Sequence, residues 1–117
     1  MKTLIIINDG PYGTEKAYNA LRLANQIGKD HSEVEVRIFL LAGAATCAIA
    51  NQATPNGYYN ISRMLRMAIA KNAKVKICGS CAEARGLKEV PLVEGAELST
   101  MEELAAWVVD SDKVLTF

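Results

Sequence analysis

A chain of 117 residues is long enough for one domain with a single core and too short for two. Lys plus Arg and Asp plus Glu both total 13, so the chain lacks the basic field that nonspecific nucleic-acid binding requires, and no direct nucleic-acid partner is expected. Half of the residues are hydrophobic, but they come in runs far shorter than a membrane span, so no membrane partner is expected either.

Leu4 to Ile7 is continuously apolar, the pattern of a strand buried on both faces of a parallel sheet. Asn8-Asp9-Gly10 stops this run too early for the apolar segment of a signal peptide, which predicts a soluble, cytoplasmic protein. The turn Asn8 to Gly13 leads to Thr14, an N-cap candidate. Ala17, Ala20, Leu21, Ala24 and Ile27 then follow at helical spacing as far as Gly28, the expected stop. Val34 to Leu41 alternates at first, with Val34, Val36 and Ile38 against Glu35 and Arg37, and then turns wholly apolar: a second strand that enters from the surface and ends inside. Ala42 to Ala53 is rich in small residues and reads as a short helix where backbones come close, a pattern that fits a subunit contact and an ordinary buried helix equally.

Thr54-Pro55-Asn56-Gly57 is a turn signal. Beyond it Ile61, Met64, Leu65, Ala68 and Ile69 make one apolar stripe on a helix running to about Asn72. Tyr58-Tyr59-Asn60 opens that helix, and core, interface and pocket all remain open for the two tyrosines. Val75 to Cys78 is a third strand. Ser99 with Glu102 forms a capping box for a helix carrying Leu104, Ala105, Trp107 and Val108, in which Trp107 reads as core or interface packing. Lys113 to Phe117 closes the chain as a strand, and a further short strand around Leu92 to Glu97 is left open by Pro91 and Gly95. Strands alternating with helices predict a single α/β domain over residues 1–117. It is expected to be a three-layer sandwich, with a mainly parallel sheet of four to five strands and helices on both faces.

In such sheets chemistry collects beyond the carboxyl ends of the strands, here Asn8 to Gly13, Leu41 to Ala45 and Cys78 to Cys81. The stretch Val75 to Leu87 hands Cys78 and Cys81 from a strand, through a break at Gly79-Ser80, to the first turn of a helix. That position favours thiolate, the reactive form. Gly79 and Ser80 belong to the expected site as its substrate-binding or activating loop, and Tyr12 as part of one wall. Arg85 reads equally as a cation that activates the thiol or holds an anionic substrate, and as half of a surface ion pair with Glu83 or Glu89. Three cysteines suggest no disulfide framework. One Cys-x-x-Cys with one distant Cys47 and one histidine is a poor fit to a closed zinc site, so no metal and no cofactor are expected. Cys47, among alanines, reads as packing, and His31 as a solvated loop residue.

Several motifs in order resemble the DsrE/DsrF-like family, and within it the small stand-alone YchN-like branch. They are N-D-G-P-Y-G-T-E from Asn8 to Glu15, Leu21 to Ala24, Val36 to Leu41, G-Y-Y-N-I-S-R-M-L from Gly57 to Leu65, Val75 to Leu87, Pro91 to Gly95, and D-K-V-L-T-F from Asp112 to Phe117. The resemblance implies an α/β sandwich that assembles into homo-oligomers, typically trimers or hexamers. Relatives in sulfur relay carry sulfur as a persulfide on a cysteine at the end of this strand, upstream of an Arg-Gly pair. The matching position is Cys78, with Arg85-Gly86 downstream, and Cys81 is the extra thiol of the YchN-like branch, a resolving thiol or second acceptor. Ala44-Ala45-Thr46 departs from the Asp-Ala-Val that often follows the second strand in this family, so no acidic group near the thiol is carried over.

The leading expectation is therefore a sulfurtransferase-like sulfur carrier whose partners are sulfur-donor and sulfur-acceptor proteins. Two rivals differ in class: a thiol–disulfide switch using Cys78 and Cys81, and a noncatalytic oligomeric ligand-binding module.

Overall fold

Each apolar run of the sequence becomes a strand. In the computed structural model, which describes residues 1–117, five strands pair in parallel throughout: β1 (Lys2–Ile7), β2 (Glu35–Leu40), β3 (Lys74–Cys78), β4 (Ala96–Ser99) and β5 (Lys113–Thr116). Their order across the sheet is β4-β3-β2-β1-β5. The chain steps outward from β1 to β4 and then returns across the sheet to set β5 on the free side of β1. Right-handed crossovers send the outward and return connections to opposite faces. Helices α1 (Lys16–Asp30) and α2 (Ile61–Ala70) accordingly pack on one face with a 3-10 segment, Ala42–Ala48. The short α3 (Gly79–Ala84) follows β3, and α4 (Met101–Asp110) alone covers the other face. This is the three-layer α/β architecture read from the sequence, with five strands.

Several boundaries differ from the sequence reading for identifiable reasons. Helix α1 begins at Lys16, whose N–H donates to Thr14 Oγ1 at 3.3 Å, and it runs through Gly28 to Asp30. Gly28 is not a stop; it is where the chain just beyond α2 comes close, since a Cβ there would lie 3.1 Å from the Lys71 side chain. Helix α2 is capped by Asn60, which accepts from the Arg63 N–H at 3.0 Å. Leu92 does not enter a strand but makes an isolated antiparallel bridge with Ile49, and β4 starts only at Ala96. The cap of α4 is Thr100, one residue after the expected Ser99: Thr100 Oγ1 accepts from the Glu103 N–H at 3.2 Å, while the Ser99 hydroxyl donates to the Glu103 carboxylate at 2.6 Å.

The alternation of side chains divides the interior into two unequal cores. Ile5, Ile7, Val36, Ile38, Leu40, Val75 and Ile77 face α1, α2 and the 3-10 segment in a cluster of 21 buried residues. The small residues Ala44, Ala45, Cys47 and Ala48 are buried within it, so the alanine-rich stretch serves the chain's own core. On the other face only Leu4, Phe39, Cys78, Leu104 and Trp107 form a cluster, with Phe39 and Trp107 edge to face at 6.3 Å. Polar groups complete that side. Arg37 is 5% exposed, donates to Glu35 at 2.6 Å and to Asp110 at 2.8 Å, and sits 5.5 Å from the centre of the Trp107 ring. Lys76 lies 4.6 Å from the same ring and pairs with Glu103 at 2.9 Å.

Candidate functional site

The site is built where β3 ends. Cys78 is the last residue of that strand and the N-cap of α3, so Gly79 and Ser80 do not interrupt the chain; they are the first residues of the helix. The Cys81 backbone N–H donates to Cys78 Sγ at 3.4 Å, and the Ser80 hydroxyl lies 3.4 Å from the same sulfur. Six residues make too short a helix for a strong dipole, so what acts on Cys78 is this local set of hydrogen bonds. Gly79 has a separate role. A Cβ at this position would come within 2.9 Å of the Ser99 carbonyl oxygen, so glycine is what lets β4 close against the cysteine loop.

Cys81 stands one helical turn on and is half-buried. Its sulfur accepts from the Ala42 N–H at 3.2 Å. Ala42 is the first residue after Leu41 at the end of β2 and has a φ of 52°, a left-handed conformation that costs a non-glycine residue on the order of 1–2 kcal/mol. The sequence reading missed Ala42, and no signal marks it: alanine is not a residue that advertises a positive φ.

Of the three thiols one is shifted down and two are shifted up. Burial alone would raise Cys78, but hydrogen bonds from Cys81 and Ser80 more than offset it, and the thiol ionises below its ordinary range. Burial raises Cys81, and its hydrogen bond to Cys78 raises it further, against the opposing Ala42 N–H and the charge of Arg85. Cys78 is thus the more readily ionised thiol of the pair. Cys47 lies in the larger core on the other face, donates weakly to the Asp9 carbonyl at 3.6 Å, and is pushed up to about 12 by burial.

The remaining candidates are not all brought together. Arg85 turns back on its own helix, donating to the Cys81 carbonyl oxygen at 3.2 Å, and makes no ion pair with Glu83 or Glu89; Glu83 pairs instead with Lys88. Gly86, with a φ of 71°, supplies the left-handed residue that ends α3. Tyr12 belongs to a different cluster. Its hydroxyl bonds to Gln52 and accepts from the Ile61 N–H at 3.1 Å, and its ring lies against Tyr58 and Tyr59. No hydrogen bond joins it to the cysteine loop. His31 is an exposed residue at the end of α1, 3.6 Å from Glu33. None of the surface depressions includes Cys78 or Cys81; the largest, about 560 Å³, lies at the opposite end of the strands, lined by Met1, Thr3, Leu23, Ile27 and their neighbours. The cysteine pair is a shallow rim, with Cys78 at 7% exposure. No group of three or more His, Cys, Asp or Glu side chains is arranged to hold a metal ion.

The match to known proteins runs through every element of this arrangement. The family model for the DsrE/DsrF-like family matches residues 1–117. The chain belongs to the DsrE/DsrF-like family. It is 41% identical to the protein YchN of Escherichia coli over 116 residues, which cover 99% of this chain and 98% of that one. An uncharacterised protein of Methanocaldococcus jannaschii, MJ0989, is 46% identical over 117 residues, all of both chains. The crystal structure of E. coli YchN superposes with a TM-score of 0.92 at 40% identity over the whole of both chains. A conserved protein of unknown function from Bacteroides thetaiotaomicron, BT1422, shares the fold at a TM-score of 0.66 and 13% identity, covering 98% of this chain and 94% of that one. The DsrE/DsrF-like domain thus occupies the full chain, and no helix is long and apolar enough to cross a membrane.

Proposed function

We propose that this chain is a cytoplasmic sulfur carrier in which Cys78 accepts sulfane sulfur as a persulfide and passes it to an acceptor thiol on another protein. The observation that carries this reading is the environment of one sulfur: Cys78 Sγ ends a central strand, accepts from the Cys81 N–H at 3.4 Å, lies beside the Ser80 hydroxyl and ionises below an ordinary thiol. Thiolate is the form that attacks a donor persulfide, so these hydrogen bonds make Cys78 the chain's nucleophile. Membership of a family that includes sulfur-relay proteins supports the same role. Arg85 reaches the pair through its hydrogen bond to the Cys81 carbonyl oxygen and through its charge on Cys81.

Self-association into trimers or hexamers is part of this reading. Along α4 the exposed residues Met101, Ala105, Val108 and Val109 recur at helical spacing beside the buried Leu104, and Val109 is 87% exposed. Next to this helix Val114 is also exposed. A second copy laid on α4 removes this apolar arc from water and thickens the thinner layer behind which Cys78 sits.

The test is to incubate the protein with a cysteine desulfurase and cysteine, without reductant, and to measure its intact mass. The expected result is the gain of sulfur by the wild type and its loss in Cys78→Ser. A wild type that neither takes up sulfur nor is carried through it to a Cys78–Cys81 disulfide, or a Cys78→Ser variant that takes up as much, overturns the proposal.

A further inference from the structure

A carrier must keep its sulfur until an acceptor arrives, and the arrangement at β3 works against that. The Cys81 backbone N–H donates to Cys78 Sγ at 3.4 Å, so any sulfur bound on Cys78 sits at the first turn of the helix that carries the Cys81 side chain. One helical turn separates the two residues, which sets their Cα atoms at the span a disulfide bridges without backbone movement. The Cys81 sulfur is also held in place, because the Ala42 N–H bonds to it from a left-handed residue in the neighbouring loop. A thiol on another protein has to reach a residue that is 7% exposed, in competition with a neighbour fixed beside it.

We infer that the Cys78–Cys81 pair releases sulfide: a persulfide formed on Cys78 is resolved by Cys81 within the same chain. This rests on the carrier reading for its first step, the arrival of sulfane sulfur on Cys78 from a persulfide or polysulfide donor. In the second step Cys81 Sγ attacks Cys78 Sγ. The bond between Cys78 Sγ and the outer sulfur breaks, a bond between the two cysteine sulfurs forms, and the outer sulfur leaves with the electron pair. It leaves as hydrosulfide and takes up the proton that Cys81 gives up, so one protonated persulfide and one thiol become one disulfide and one hydrogen sulfide. The sulfane sulfur is reduced by two electrons and the two cysteines are oxidised by two. A dithiol reductant then restores both thiols.

Holding the attacking thiol against its target makes the step unimolecular, which is where the rate advantage over an external thiol arises. Cys47 takes no part, since it lies in the core on the other side of the sheet.

Single-turnover loading with inorganic polysulfide tests this. Wild type, Cys81→Ser, Cys81→Ala and Cys78→Ser are reduced, freed of reductant and mixed with one equivalent, and intact mass and free sulfide are followed together. The expected result is that Cys81→Ser and Cys81→Ala carry one extra sulfur that persists, while wild type passes through that species to a mass two hydrogens below the reduced chain. Wild type should release one sulfide per chain beyond what the loading step releases in the Cys81 variants, and its loaded form should be shorter-lived than that of either variant by about tenfold or more. Cys78→Ser should do neither. If wild type holds the extra sulfur as long as Cys81→Ser and Cys81→Ala do, the inference fails and the carrier reading stands. If no protein with Cys78 intact gains sulfur or reaches the disulfide, the carrier reading fails and takes this one with it.

Discussion

The two faces of the sheet each bury a cysteine, and the comparison between them explains why only one is placed for chemistry. Cys47 sits among 21 buried apolar residues under α1 and α2, where its sole polar contact is a carbonyl oxygen 3.6 Å away. An acceptor beside a thiol stabilises the protonated form, and the hydrocarbon around it disfavours charge. Cys78 lies in the five-residue cluster under α4, where the Cys81 N–H and the Ser80 hydroxyl reach the sulfur. Thick packing makes a thiol inert; a thin layer completed by hydrogen bonds leaves it reactive.

The largest effect expected from this difference is in alkylation. With Cys47 pushed up to about 12, its thiolate fraction near neutral pH falls about a thousandfold below that of an ordinary thiol, before access is considered. Iodoacetamide followed by peptide mapping should modify Cys78 ahead of Cys81 and leave Cys47 untouched in the native protein. Because Cys78 is shifted down, its rate should reach half-maximum at a pH below that of a free thiol, and Cys81 in Cys78→Ser should titrate separately. Modification of Cys47 at a rate near that of Cys78 would break the comparison.

Stability should divide along the same line. Leu65→Ala, in the larger core, is expected to lose about 3–5 kcal/mol by urea unfolding, and Leu104→Ala, at the margin of the smaller one, about 2 kcal/mol, because a site near the surface collapses or hydrates more readily. Equal losses would mean the two cores are equally well packed. Gly79→Ala should cost about 1–3 kcal/mol, since the atom it meets is the Ser99 backbone carbonyl, which cannot swing aside as a flexible side chain would.

Acid should loosen the α4 side selectively. Hydrogen bonds to Lys2 and Arg37 hold the Asp110 carboxyl below its usual range, the Ser99 hydroxyl and Lys76 do the same for Glu103, and Arg37 does so for Glu35. Depressed carboxyl values stabilise the fold above the unfolded carboxylate range, and that contribution disappears as pH falls through the folded values. Trp107 is the only tryptophan and lies between Arg37 and Lys76, so its emission should stay constant down to about pH 4 and shift below it. An earlier shift would show that some other group controls the helix. The smallest effect belongs to Ala42→Gly. It relieves the left-handed residue and is expected to change stability by no more than about 1 kcal/mol while leaving the N–H that bonds Cys81.

The sequence discloses the architecture well because the strands of a parallel sheet are continuous apolar runs: Leu4 to Ile7 and Val75 to Cys78 admit few other readings. It also brings the cysteine pair into view, since Cys78 and Cys81 stand at the end of such a run. Arg37 is the instructive failure. It occupies the polar positions of an alternating strand and reads as solvent-facing, yet it is buried because α4, remote in sequence, supplies Asp110 and Trp107 to cover it. Gly28 and the cap of α4 differ from their sequence signals for a related reason, because each is decided by a neighbour: the Lys71 side chain in one case, the Ser99–Glu103 hydrogen bond in the other. Tyr12 reads as a wall of the site because it shares the carboxyl edge, but its hydroxyl is taken up by Gln52 and Ile61.

The return of the chain to place β5 beside β1 has a consequence for biosynthesis. Until Lys113–Thr116 emerges from the ribosome, the strand made first keeps one row of backbone donors and acceptors open along a stretch of isoleucines, the kind of edge that recruits other nascent chains. Phe117 completes the seam, exchanging hydrogen bonds with Ile6 and Asn8. Recombinant forms shortened by even these last few residues are therefore expected to be lost to inclusion bodies, although they keep both thiols and nearly all of the larger core.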